Sequence, residues 1–321
     1  MKDTQREPTH EGVIRAAQKI AAILPPTPLI PFEAQGRTIY AKADCLQPIG
    51  AFKIRGAWHR LTDLSDEERG RGVVAVSSGN HAQGIAWAAR ELGIEATIVM
   101  PEDAPHVKLE RTKSLGAKVV TYDRMTENRE AIAQGIASEK GATYAHAYGD
   151  PWVIEGQGSA GIEIAHQMLA QIDRPVSKII ACCGGGGLTA GLALACPDAS
   201  VIPVEPEGWD DVCRSLETGE IQSVGENPPP TACDAIQTFK TFPINFAVMK
   251  AHCREWARVS EQEIREAQRF AFSHMRLVVE PGGAAALASV LSGRIEADDA
   301  TAVMITGGNT DAASFAAVLN G

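Results

Sequence analysis

The chain is 321 residues long, 45% hydrophobic and 22% charged, a globular balance too large for one usual core, so two lobes are predicted. Its formal net charge of -10 excludes a nucleic-acid-binding role, which needs a basic face against phosphates. No apolar run is long enough to span a bilayer, the mixed-charge start Met1 to Glu7 lacks the apolar stretch of a signal peptide, and seven cysteines without metal-type spacing predict reduced thiols in a cytoplasmic setting.

Thr9 reads as the N-cap of a helix that ends near Leu24, before Pro25, Pro26 and Pro28. Thr38 to Lys42 reads as a short strand leading into Leu46–Trp58, where Pro48 and Gly50 break the chain just ahead of Lys53 and a helical pattern follows. From Val73 the chain alternates. The predicted strands are Val73 to Val76, Ala96 to Met100, Val119 to Tyr122 and Thr143 to His146. The helices between them are His81 to Leu92, His106 to Leu115 and Asn128 to Lys140, ended by Gly93, Gly116 and Gly141. Short apolar strands alternating with helices predict an α/β, doubly wound parallel sheet.

A long helix is expected from Pro151 to Ala170, then a strand from Lys178 to Cys183, Gly184 to Gly187, a helix from Leu188 to Ala195 and a strand from Ser200 to Val204. Regular pattern is lost from Gly219 to Pro243, which reads as an irregular connection. Ser260 and Glu263 form a capping box opening a helix to about Met275; Ala284 to Leu291 is helical, Ala302 to Ile305 a strand and Asp311 to Leu319 the last helix. The expected division is a small α/β lobe over 70–149 and a large lobe from 1–69 and 150–321. Lys53 would lie near the seam, where ligand sites collect.

Among apolar neighbours, Lys53 would lose solvent, which disfavours the ammonium and leaves an amine able to form a Schiff base with a carbonyl; a surface lysine is the ordinary alternative. Gly184, Gly185, Gly186 and Gly187 sit between a strand and a helix, where converging backbone N–H groups and the helix start suit a phosphate; the alternative is a flexible turn. Each charge-assisted hydrogen bond is worth roughly 1.5–3 kcal/mol, so a few loop amides outweigh the helix dipole. No Gly-Lys-Ser/Thr follows, so this is not a nucleotide P-loop. Ser77-Ser78-Gly79-Asn80-His81 is a second strand-to-helix turn, a seat for a carboxylate or simply a cap. Thr306-Gly307-Gly308-Asn309 ends the last strand and reads on its own as a tight turn. All three turns fall at the carboxyl ends of predicted parallel strands, where open α/β sheets bind ligands.

Taken in order, Gly-Ala-Phe-Lys-Ile-Arg-Gly-Ala, Ser-Ser-Gly-Asn-His-Ala-Gln-Gly, Gly-Gly-Gly-Gly-Leu and Thr-Gly-Gly-Asn closely resemble the fold-type II (tryptophan synthase β-like) pyridoxal-phosphate enzymes. Within them the chain is most similar to the serine/threonine dehydratase and serine racemase group, from about Pro26 to Asn320. The resemblance implies that Lys53 carries the cofactor and later takes the substrate's Cα proton. It implies that Gly184 to Gly187 hold the phosphate, that Phe52 and Asn80 lie against the ring, and that Thr306 faces the pyridine nitrogen. It further implies that Ser77, Ser78, Asn80 and His81 hold the substrate carboxylate.

In racemase-like members the serine at Ser78 is the acid/base opposite the lysine, so two activities are implied. The first is a β-hydroxy amino acid dehydratase acting on threonine, serine or 3-hydroxyaspartate; the second is a serine or aspartate racemase. If Ser78 only binds carboxylate, the second falls. A β-replacement synthase fits less well, because those enzymes usually carry a different asparagine loop. By the same resemblance Glu205, Asp211 and the Trp209 carbonyl would hold Mg²⁺, or Ca²⁺ or Mn²⁺, although a solvated acidic helix start explains the acids equally well. Arg129 aligns with an arginine able to reach the substrate side, against the alternative of an exposed residue paired with Glu127 or Glu130. Ala51 and Tyr148, the latter a candidate substrate contact, depart from the usual residues and leave substrate identity open. The family also implies a homodimer, and the short stretch after Asn309 leads us to expect no appended regulatory domain.

Overall fold

A computed structural model of the chain describes residues 6–104, 106–123 and 125–321. The start of the polar N-terminus, residues 1–5, and Arg124 in the stretch before Arg129 lie outside the described residues.

Among the described residues the strands are β1 (Leu29–Ala34), β2 (Arg37–Lys42), β3 (Val73–Val76), β4 (Ala96–Pro101), β5 (Lys118–Tyr122), β6 (Thr143–Tyr144), β7 (Lys178–Cys182), β8 (Ser200–Pro206), β9 (Ala257–Val259) and β10 (Thr301–Met304). They form a six-stranded sheet of order β1-β2-β10-β7-β8-β9 and a four-stranded sheet of order β5-β4-β3-β6. All pairings are parallel except the edge pair β1–β2. The helices in chain order are α1 (His10–Ala21), α2 (Lys53–Thr62), α3 (Asp66–Arg71), α4 (Asn80–Leu92), α5 (His106–Ser114), α6 (Arg129–Lys140) and α7 (Pro151–Ile172). They continue with α8 (Gly187–Ala195), α9 (Asp211–Thr218), α10 (Pro243–His252), α11 (Glu261–Phe270), α12 (Pro281–Leu291) and α13 (Ala312–Asn320). None of the helices in the described residues is long and apolar enough to cross a membrane.

Both sheets are covered on two faces, and alternation along each strand decides which core a side chain joins. In β7, Ile180 and Cys182 pack with Ile264 of α11 and Leu287 of α12, whereas Ile179 and Ala181 pack with Val13, Ile164 and Leu192 of α1, α7 and α8. In the smaller sheet Val73, Ala75, Ile98 and Met100 face α2 and α4, while Val74 and Val99 face Ala133 and Ala137 of α6. One core therefore joins Ile54, Trp58 and Leu61 of α2 to the small sheet, so α2 is packed between the two sheets' helical layers.

Several boundaries differ from expectation. The strand expected over Thr143 to His146 stops at Tyr144, because the Tyr148 and Gly149 backbone N–H groups turn onto the His146 ring. The helix opened by the Ser260 capping box is α-helical only to Phe270 and closes with a π-turn over Ala271–Met275, ended by Arg276 at φ 61. The segment after Gly219 is irregular apart from a 3₁₀ turn at Asp234–Ile236, and Pro243 opens α10 as its first residue.

Candidate active site

The site is assembled at the carboxyl ends of β3, β7 and β10. Ahead of α2 the chain is stitched to the loop after β10. Phe52 N–H donates to the Thr306 carbonyl (2.9 Å), Gly308 N–H donates to the Gly50 carbonyl (2.9 Å), and Ala51 bridges Gly307. Gly50 has φ +72, and a Cβ there would stand 2.4 Å from Asn309 Oδ1, so glycine is required on two counts.

Behind Lys53 the first turn of α2 is fixed by Arg55. Its buried guanidinium forks onto Asp44 (2.7 and 2.9 Å) and onto Glu163 of α7 (2.6 and 2.8 Å), and Lys42 also reaches Glu163 (2.6 Å). Burial alone would raise the Asp44 pKa, but the Arg55 charge holds it below the ordinary value. These pairs tie α2 to β2 and α7, so the lysine in the same turn has little freedom to shift.

Lys53 Nζ donates to the Ala147 carbonyl at 2.9 Å and lies 5.1 Å from the Phe52 ring centroid. Loss of solvent brings its pKa down to about 8, far below an ordinary lysine. At pH 7 that raises the free-amine fraction from about one in a few thousand to about one in ten.

The cavity around Lys53 is lined by Ser77, Ser78, Gly79, Asn80 and His81, by Arg129 and Tyr148, and by Gly184 to Gly187 and Thr306. The structure thus brings together every residue the sequence proposed for cofactor and substrate. Glu205, Trp209 and Asp211 fall elsewhere, at the end of β8, in the turn after it and at the start of α9.

Asn80 donates from Nδ2 to Glu280 Oε1 (2.6 Å) and accepts at Oδ1 from Asn309 Nδ2 (2.7 Å), which fixes its amide orientation. Glu280, fully enclosed at the start of α12, is lifted by burial to about 7, with Asn80 pulling the other way. His81 contributes differently from expectation. Its Nε2 bonds the Ala145 carbonyl (3.0 Å), which can only accept, so the proton sits on Nε2; burial, then the Lys53 charge, takes the ring down to about 3. The imidazole is therefore neutral and already engaged, and what His81 can offer a carboxylate is its backbone N–H in the first turn of α4. Thr306 Oγ1 lies 3.1 Å from Cys182 Sγ, so Cys182 is a wall of the site.

Arg129 opens α6, half of its side chain exposed, with Nε 3.7 Å from Glu130 Oε1. Glu130 also takes the Tyr144 hydroxyl. Tyr148 lies on the glycine run, 4.5 Å by ring centroid from His146 and 5.4 Å from Phe242. Two contacts from α5 reach loops far along the chain: Lys108 pairs with Asp234, and Arg111 Nη1 donates to Asn309 Oδ1 (2.7 Å).

Away from this cavity, Glu205 accepts from the N–H groups of Val212 (3.2 Å) and Cys213 (2.6 Å) at the start of α9. Burial, then the neighbouring Asp211 charge, raises it well above the usual carboxylate range. Both Asp211 carboxylate oxygens are buried without a hydrogen-bond partner, and burial lifts this group to about 7. Among the described residues no three His, Cys, Asp or Glu side chains are placed to hold a metal ion together.

Two sheets, parallel but for the β1–β2 edge, with a lysine at the start of α2 facing a serine–asparagine turn, a glycine cradle and a neutral threonine after β3, β7 and β10, define the pyridoxal-phosphate enzymes of fold-type II. The chain belongs to the family described as pyridoxal-phosphate dependent enzyme, which matches residues 20–307. It is 38% identical to an L-threo-3-hydroxyaspartate ammonia-lyase of Pseudomonas sp, over 98% of this chain and 99% of the relative. Among solved structures, a threonine deaminase from T.th. superposes with a TM-score of 0.86 at 38% identity, covering 95% of this chain and 99% of that one. Maize serine racemase gives 0.88 at 30% identity, covering 98% of each.

Proposed function

We propose that the protein is a pyridoxal-phosphate-dependent ammonia-lyase that converts a β-hydroxy amino acid, with 3-hydroxyaspartate the preferred substrate, to a 2-oxo acid and ammonia. The observation that carries this reading is one cavity holding a low-pKa lysine amine at its base and the Arg129 guanidinium, only loosely paired, on its wall. The cofactor fits the residues present. A Cβ on Gly184 would lie 2.9 Å from Thr238 Oγ1, one on Gly185 2.3 Å from the Tyr148 ring and one on Gly186 2.5 Å from Met249 Cε, so only bare backbone can line this cradle.

Gly184 to Gly187 and the first N–H groups of α8 would hold the phosphate, Asn80 the ring oxygen, and Thr306 the ring nitrogen. When bound, pyridoxal phosphate supplies the electron sink that makes the Cα–H bond labile. Ser77, Ser78 and the first-turn N–H groups of α4 hold the substrate's α-carboxylate. Lys53 Nζ, as the free amine, takes the Cα proton, and as the ammonium it can return a proton to the departing hydroxyl. General acid–base help of this kind is worth about 10²–10⁴-fold. Thr306 offers the ring nitrogen a neutral hydroxyl; a carboxylate there would raise its pKa by roughly 1–3 units and favour longer-lived carbanions.

A second activity, racemisation, is supported by the Ser78 hydroxyl lining the same cavity as Lys53. Incubation with L-threonine, L-serine and both 3-hydroxyaspartate diastereomers separates the two. Oxaloacetate and ammonia from 3-hydroxyaspartate, at a kcat/KM above that for threonine, support the lyase; mirror-image amino acid without oxo acid removes it.

The lysine also sets a pH profile. A depressed pKa means the amine appears at lower pH, so cofactor uptake by the apo-protein should quicken about tenfold per unit up to pH 7 and level off above about 8. An ordinary lysine would keep gaining to about pH 10. Stopped-flow absorbance reads this directly.

The orphaned Asp211 oxygens fit a divalent cation such as Mg²⁺ (or Ca²⁺ or Mn²⁺), which Glu205 and the Trp209 carbonyl would help to hold in a structural role. Thermal unfolding should then shift upward with added Mg²⁺ and back with chelator; no shift removes the site. Exposed apolar Leu46 and Val278 fit a homodimer contact, which sedimentation as a monomer would remove.

A further inference from the structure

His146 lines the same cavity as Lys53 and Arg129 and feels the charge of both. Its ring is packed edge-on to Tyr148 (4.5 Å) and tilted against Phe242 (4.5 Å), with Tyr144 at 6.1 Å. Nδ1 accepts two backbone N–H groups, from Gly149 (2.8 Å) and Tyr148 (3.3 Å). A backbone N–H can only donate, so Nδ1 must be bare, and in the neutral ring the proton is on Nε2. Burial first, with Glu130 opposing and Lys53 and Arg129 adding to it, brings the ring down to about 4. At neutral pH it is an uncharged donor with a fixed tautomer. Among the described residues nothing is hydrogen-bonded to Nε2, and His146 lines the cavity that also holds Lys53 and Arg129.

We propose that the His146 Nε2–H, together with Arg129, recognises the distal carboxylate of a dicarboxylic amino acid and so sets the preference for 3-hydroxyaspartate over threonine. This rests on the lyase reading above and names what selects its substrate. A neutral donor suits the position. It adds a directional bond to an anion without adding repulsion against Lys53 and Arg129. Threonine presents a methyl group instead, which leaves the N–H without a partner in a partly desolvated site, and that kind of mismatch discriminates strongly.

Two substitutions separate recognition from loop support. His146→Asn keeps an acceptor near Nδ1 for Tyr148 and Gly149 but removes the Nε2–H. His146→Gln keeps a donor near Nε2 but loses that acceptor. The holoenzymes are compared by the ratio of kcat/KM for 3-hydroxyaspartate over threonine. They are also compared by calorimetric binding of succinate against propionate, probes that differ in the second carboxylate. In His146→Asn both ratios should fall about tenfold or more, the worth of one charge-assisted hydrogen bond, while His146→Gln should retain most of each. Unchanged ratios in His146→Asn, or a larger fall in His146→Gln, overturn the proposal. Wild-type protein that yields no oxaloacetate from 3-hydroxyaspartate sinks the lyase reading instead, and the succinate comparison still decides the part played by His146.

Discussion

Lys53→Ala should lower 2-oxo acid formation by at least about 10³-fold, the combined loss of the nucleophile and of the proton-transfer group. The substitution removes one hydrogen bond, to the Ala147 carbonyl, from a side chain that is only half-buried. Thermal unfolding of the apo-protein should therefore move little, which separates lost chemistry from lost fold. The variant should still bind the cofactor, because the glycine cradle is untouched, but as the free aldehyde with its own absorption spectrum. A small added amine should restore part of the rate. Activity within about tenfold of wild type would mean that another group does this work.

Gly185→Ala should weaken cofactor binding by about 10²-fold or more, since several charge-assisted hydrogen bonds depend on the loop's position. The new Cβ would meet three Tyr148 ring atoms at 2.3 to 2.4 Å. That ring cannot swing away easily, because His146 and Phe242 pack edge-on against it. The loop must then move and carry its amides off the phosphate position. Adding Tyr148→Ala to Gly185→Ala makes room for the methyl and should recover much of the affinity. Fluorescence titration with the cofactor measures both, and a tight-binding single variant would show that the loop does not grip the phosphate.

The small sheet was legible in the sequence because its punctuation is local. Gly93, Gly116 and Gly141 take φ +67, +90 and +63 at the helix ends where they were expected to act as stops. β1 was missed for a physical reason: Pro31 and the prolines before it argue against a strand, yet β1 is an antiparallel edge, where a missing N–H is tolerated. α3 has no buried residue, so no apolar periodicity marks it, and β9 is only three residues long. Pro243 read as the end of an irregular stretch but opens α10, the position that best tolerates proline.

The site divides in the same way. Lys53, the Ser77–His81 turn and Gly184–Gly187 are contiguous stretches whose chemistry shows in their own composition. Glu280 bonds Asn80 across 200 residues of chain, and nothing around either one announces the partner. His146 sat inside a predicted strand, and its tautomer depends on two turn amides that only the folded loop presents. Cys182 ends an apolar run, and only the position of Thr306 beside it makes it part of the cavity.

The most direct measurement is borohydride reduction of the holo-protein followed by peptide mass mapping. A pyridoxyl-phosphate mass fixed on the peptide that contains Lys53, with the visible absorbance lost in step, is the expected result. The label on a different lysine, or protein left unmodified and colourless when the vitamer is supplied, would contradict the assignment of Lys53 and everything built on it.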